Sequence, residues 1–194
     1  MTMTTINAAD MQKIILQSVF SIILLLTVVI YLPAQRTATH PVCLNLPEFA
    51  IIDIEPNNLP IQLSMTAPVE SGQPITIDGE NKTKWLNYTS AIPDNGLSRT
   101  ITAQISSGTL SEGVELYLGA GNYQGNGAGN HGTPGGNISL NENPQVLISD
   151  IGRGFTGNGL YNGHLLTYGL NILDYDKLNA QINNQVVVIF TIVD

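Results

Sequence analysis

From about residue 49 onward, apolar and polar side chains alternate in short runs, with Gly, Pro, Asn and Asp clustered between them. A period of two puts successive side chains on opposite faces of an extended chain, so these runs predict strands joined by turns. Phe49 to Ile54 and Ile61 to Met65 read as strands bracketed by Pro, followed by Ile75 to Ile77 and Trp85 to Ala91, with Trp85 in the core. In Arg99 to Ser106 the inward set is Ile101, Ala103 and Ile105, and Val114, Leu116 and Leu118 repeat the pattern. Eight glycines stand among residues 119–136, which predicts loop there. Strands resume at Asn137 to Leu140, Gln145 to Ser149 and His164 to Leu173. Val186 to Val193 is apolar on both faces, which predicts either a central strand covered on both sides or one whose outer face meets another chain. Asp174 to Ala180 fits a single helical turn. About nine or ten short strands predict an all-β fold, an antiparallel β-sandwich, with a closed β-barrel as the alternative.

The first part of the chain has a different pattern. Met11-Gln-Lys13 precedes an uncharged stretch from Ile14 to Gln35 whose centre, Ile22 to Ile30, is interrupted only by Thr27. A basic start followed by an apolar run is the layout of a signal peptide, and Leu32-Pro33-Ala34 places the expected cut after Ala34. Residues 1–10 add no basic charge, so Met11 is a possible true start. The alternative is a retained anchor, since Ile14 to Leu32 is just long enough to span a bilayer. The expected organisation is thus a signal peptide at 1–34, an N-terminal extension at 35–48 and one β-sandwich domain at 49–194. No cysteine follows a small residue near the cut, which disfavours lipid anchoring, and Cys43, alone in the chain, is expected to be buried.

Composition narrows the function. With 15 acidic and 7 basic residues the formal charge is −8, and no basic cluster offsets it, which argues against a nucleic-acid partner. With 11% charged residues the chain has neither the composition of a disordered tail nor that of a coiled coil.

Known catalytic signatures are missing: His-Glu-x-x-His, Gly-Lys-Ser/Thr, Cys-x-x-Cys and Gly-x-Ser-x-Gly do not occur. His40, His131 and His164 lack a second His or Cys at ligand spacing, so no metal site and no cofactor are expected. Asp174, Asp176 and Asn179 supply hard oxygens without the glycine and closing Glu of a calcium loop, and read as caps of a turn. Asp53 and Glu55 project from one strand face about 7 Å apart, a spacing open to glycoside chemistry but commoner for two solvated acids. The remaining candidates are aromatic. Tyr123 lies in the first glycine-rich segment, and Arg153, Phe155 and Tyr161 lie in a second, Asp150 to Gly163, together with several Asn. Rings stack on sugar faces and amides pair with hydroxyls, so these four are the candidate ligand-binding residues, for glycans or peptides.

An export signal, a Gly/Asn-rich β domain and the closing run Gln185-Val-Val-Val-Ile-Phe190-Thr-Ile-Val-Asp194 together loosely resemble small secreted β-sandwich proteins of Gram-negative bacteria, including fimbrial-type subunits. Val193 stands where the final strand of such subunits places an aromatic, and no family site residues come with the resemblance. The expectation is a non-catalytic protein, secreted, periplasmic or at the cell surface, with a structural, adhesive or surface-assembly role. Its expected partners are copies of itself or other envelope proteins, met through strand 186–193, with membrane contact only through the signal segment. The alternative is a carbohydrate- or peptide-binding module.

Overall fold

The computed structural model describes residues 7–30, 37–57, 59–180 and 184–194. The chain divides into two compact units, Met1–Asn45 and Leu46–Asp194. In the first, α1 spans Ala8–Ile30, with the Asn7 side chain accepting from the Asp10 amide at 2.9 Å as its cap. At 1.5 Å per residue it is about 35 Å long. Its stretch Ala8–Leu26 is long and apolar enough to cross a membrane, a property that a signal sequence shares. The expected cut after Ala34 lies outside the described residues. Cys43 is exposed, which corrects the expectation of burial: Val42, Leu44 and Leu46 around it are exposed too, so no apolar packing encloses the thiol.

Among its described residues the second unit holds eleven strands: β1 (Phe49–Glu55), β2 (Met65–Thr66), β3 (Thr76–Ile77), β4 (Asn81–Ala91), β5 (Arg99–Ser107), β6 (Val114–Gln124), β7 (Ala128–Pro134), β8 (Asn137–Ser139), β9 (Gln145–Phe155), β10 (Gly163–Ile172) and β11 (Val187–Val193). Every pairing is antiparallel. Nine of the strands form one continuous sheet, and β2 and β3 form a separate ribbon. The large sheet folds into two layers, β1-β4-β10-β6-β8 and β11-β5-β9-β7. They are joined at a corner where Thr89 and Ser90 of β4 pair with Phe155 and Gly154 of β9. The barrel alternative is not realised.

The core lies between the layers. Leu86, Leu118 and Leu166 from one, and Ile101, Leu147, Ile148 and Ile151 from the other, are fully buried and belong to a single cluster. Burying each such side chain contributes about 1.5–3 kcal/mol, which makes this cluster the main source of stability in a domain without disulfides. The inward set expected in β5 is buried as the alternation requires. Ile61 and Leu63 pack against the core, but only Met65–Thr66 of that run enters a ladder.

Two expectations change. Residues 119–136 are not a loop: β6 continues to Gln124 and β7 follows after a short turn. The glycines there serve close approach instead of flexibility. A Cβ on Gly129, whose φ is +97°, would lie 2.1 Å from the Arg153 carbonyl oxygen across the β7–β9 pairing. Similarly, β9 runs through to Phe155, so the second glycine-rich segment is half strand. The other change concerns β11. It stands at the end of the strand order beside β5, so it is an edge strand and not a central one. Val188, Phe190 and Ile192 pack on the core while Val187, Ile189 and Val193 face outward, each more than 40% exposed.

One buried cation secures this end of the fold. Arg99, at the start of β5, bonds Asp194 Oδ1 at 2.7 Å, Glu48 Oε1 at 2.9 Å and the Phe49 carbonyl at 2.5 Å. It thereby ties the start of β1 to the end of β11. The helical turn expected after β10 is a 3-10 turn at Tyr175–Lys177, with Asp174 accepting from the Asp176 amide as its cap.

Candidate functional site

Because β4 is covered on both faces, its outward residues carry local chemistry. Leu86 and Tyr88 face the core, so Trp85, Asn87 and Thr89 face the other way. Register with β1 brings Glu55, Asp53 and Ile51 beside them in that order. On the far side of Thr89 lies its partner Phe155, 46% exposed. The chain then leaves β9 and crosses the outer side of Asn87 on its way to β10. Asn87, only 4% exposed, holds this crossing: its Oδ1 accepts from the Gly159 amide at 2.7 Å and its Nδ2 donates to the Asn162 carbonyl at 2.5 Å. Pinned in this way, the loop sets Tyr161 edge-on against Trp85, with ring centroids 5.7 Å apart. Tyr161 is 75% exposed and adopts φ +63°, a left-handed conformation that non-glycine residues adopt at a cost of about 1 kcal/mol or more.

The result is an open groove of about 460 Å³, lined by Ile51, Asp53, Thr89, Phe155 and Asn158 among others. One wall is the apolar surface of Ile51 and Phe155, and Asp53 supplies a carboxylate. Beyond Asn87, the Trp85–Tyr161 pair continues the same face. Four residues of β4 separate Trp85 from Thr89, roughly 13 Å along the strand.

The four residues expected to bind ligand are thus divided. Phe155 and Tyr161 lie along this face, at its two ends. Arg153, although exposed, spends its guanidinium on the Ile92 carbonyl at 2.7 Å and Asp94 Oδ1 at 2.8 Å. Tyr123 belongs to a separate polar cluster at the corner between the layers. Its ring stacks on His131 at 3.5 Å, and its hydroxyl donates to the Thr156 carbonyl at 3.3 Å and accepts from the Gly127 amide. The centre of that cluster is His164, which is fully buried. Its Nδ1 lies 2.8 Å from the Gly121 carbonyl, which only accepts, so the ring proton resides there. Nε2 faces the Tyr88 hydroxyl at 3.0 Å, and the same hydroxyl donates to the His131 carbonyl. Desolvation lowers the His164 pKa from its ordinary value, and burial pushes Tyr88 well up, so both are neutral at pH 7. This cluster closes the corner of the sandwich. It offers no exposed nucleophile and no acid–base pair open to a substrate.

Sequence reasoning missed Trp85, Asn87 and Asp53 as members of one surface. Asp53 was legible as an exposed strand acid, but nothing local links it to Asn158. No cluster of three or more His, Cys, Asp or Glu suited to a metal ion occurs among the described residues. Comparison with known proteins found no matching family model, no matching curated protein and no matching solved structure.

Proposed function

We propose that this is a non-catalytic β-sandwich protein of the cell envelope or extracellular space that assembles on its surface through β11. The observation that carries this reading is the unguarded edge of that strand. From Val187 to Val193 it contains no charge and no proline, and its outward side chains are Val187, Ile189, Thr191 and Val193. Edge strands of monomeric proteins are ordinarily protected by lysine, proline or a short length. An edge without these devices accepts a further strand, with main-chain hydrogen bonds giving affinity. The occupant that fits is β11 of a second copy, whose apolar, uncharged outer row continues its own. The apolar α1 supports export to the compartment in which such assembly takes place.

Light scattering across a concentration series tests it, with and without reductant. The expected result is an oligomer that survives reductant and is lost in Ile189→Lys, where a charge sits on the outer row while Phe190 keeps its core packing. A strict monomer would overturn the assembly reading, and an oligomer lost in reductant would assign association to Cys43.

A second reading, glycan binding, is favoured by the groove beside Phe155. It does not compete with the first, because the groove lies on the outer face of β1 and β4, in the other layer from β11.

A further inference from the structure

Each end of the β1/β4 face presents an exposed aromatic ring on a residue held by strand pairing or by a pinned loop. The Phe155 backbone is fixed by pairing with Thr89, and Tyr161 is held by its contact with Trp85 and by the two Asn87 hydrogen bonds that pin the loop on either side of it, at Gly159 and Asn162. Rings held in advance lose little freedom when a sugar stacks on them. Along β4 the two ends, Thr89 beside Phe155 and Trp85 beside Tyr161, are roughly 13 Å apart, a span that suits an extended oligosaccharide better than a single sugar.

Charge selects among glycans. Asp53 lies between the aromatic ends and Glu55 beside Trp85, while the nearby cations are already engaged: Arg153 by Asp94 and the Ile92 carbonyl, Lys84 by the Pro56 carbonyl. A carboxylated, sulfated or phosphorylated glycan would bring like charge against Asp53 and Glu55. A hydroxyl or an amine would donate to Asp53 instead. We infer that this face, from the groove at Phe155 to the Tyr161 ring beyond it, binds an extended glycan chain of uncharged or amine-bearing sugars, with Phe155 and Tyr161 as stacking platforms and Asp53 as the acceptor. This inference rests on the glycan-binding reading and adds to it the substrate class.

Titration calorimetry of the full chain against cello-oligosaccharides, N-acetylated chito-oligosaccharides, glucosamine oligosaccharides and oligogalacturonate separates the two. The uncharged and amine-bearing series are expected to bind and oligogalacturonate is not. Phe155→Ala should weaken binding about tenfold, a loss of about 1.4 kcal/mol, while Phe155→Trp retains it. Asp53→Asn should weaken the glucosamine series selectively, and Tyr175→Ala, an exposed aromatic away from the groove, should change nothing. Tighter binding of oligogalacturonate would overturn the substrate class and leave glycan binding standing. Flat titrations in every series would overturn both. Unchanged affinity in a folded Phe155→Ala chain, or equal loss in Tyr175→Ala, would overturn the assignment to this groove.

Discussion

At the corner of the sandwich the Tyr88 hydroxyl donates its one proton to the His131 carbonyl and lies 3.0 Å from Nε2 of His164. Tyr88→Phe removes this hydroxyl from the partly buried His131 carbonyl and the buried His164 ring, which should destabilise the fold by about 1–3 kcal/mol in denaturant titration, more than an exposed Tyr175→Phe. His164 gives a pH dependence of definite sign. Its folded-state pKa lies below the ordinary 6.5 because burial disfavours the imidazolium, so between the two values the unfolded chain binds more protons. The stability it contributes is complete above about pH 6.5 and is lost as pH falls towards the folded value. The carboxylates Asp78, Glu80 and Glu115, lowered chiefly by hydrogen bonds from Ser64, Lys82 and Asn171 respectively, lose their contribution only at lower pH, below their ordinary values of 3.8 and 4.5. Melting temperature measured from pH 7.5 to 5 should therefore fall in the wild type and run flatter in His164→Gln. Parallel curves would remove His164 as the origin. Arg99 makes a third residue-scale case. Arg99→Lys keeps the charge but cannot reach Glu48, Asp194 and the Phe49 carbonyl together, so it should destabilise nearly as much as Arg99→Met.

Among the elements, what the sequence disclosed depended on whether side chains were present to carry a pattern. β5 was legible because Ile101, Ala103 and Ile105 alternate with Thr100, Thr102 and Gln104 over a half-buried strand. The end of β6, all of β7 and the end of β9 were illegible because their glycines have no side chain to show a face, and their role depends on a backbone that approaches from far along the chain, 14 to 27 positions away between β7 and β9 and 39 to 48 between the end of β6 and β10. The same reason hid the groove. Trp85 and Tyr161, or Asn87 and Gly159, are neighbours only through the crossing at the β4–β9 corner, and no local spacing encodes that. β11 was half legible: the alternation of its inner row was correct, while its composition left open a central strand or one whose outer face meets another chain, because an uncharged apolar edge strand has the same composition as a central one. Gly129→Ala tests the close-approach reading of the glycines. It meets the Arg153 carbonyl and needs φ +97°, so it should destabilise by about 1–3 kcal/mol, as measured by denaturant titration, while Gly136→Ala, with open space around it, should cost less.

For the molecule as a whole, the two surfaces proposed to act are placed in a field of one sign. The formal charge of −8 belongs almost wholly to the part after the apolar segment, since residues 1–34 contribute one acid and one base. Two copies meeting edge to edge through β11 therefore repel over long range, while the contact itself is uncharged and gains from apolar burial and main-chain hydrogen bonds. These terms respond oppositely to salt. Raising ionic strength shortens the screening length from about 30 Å at 0.01 M to about 8 Å at 0.15 M, which removes the repulsion and leaves the apolar contact intact. Association through β11 should therefore strengthen as salt is raised over that range, with the association rate rising more than the dissociation rate changes. Sedimentation velocity at a fixed protein concentration in 10 mM and 150 mM salt reads this directly, with Ile189→Lys as the control that stays monomeric at both. Association that weakens with salt would mean that ion pairs hold the copies together, and the uncharged edge of β11 would then not be the interface.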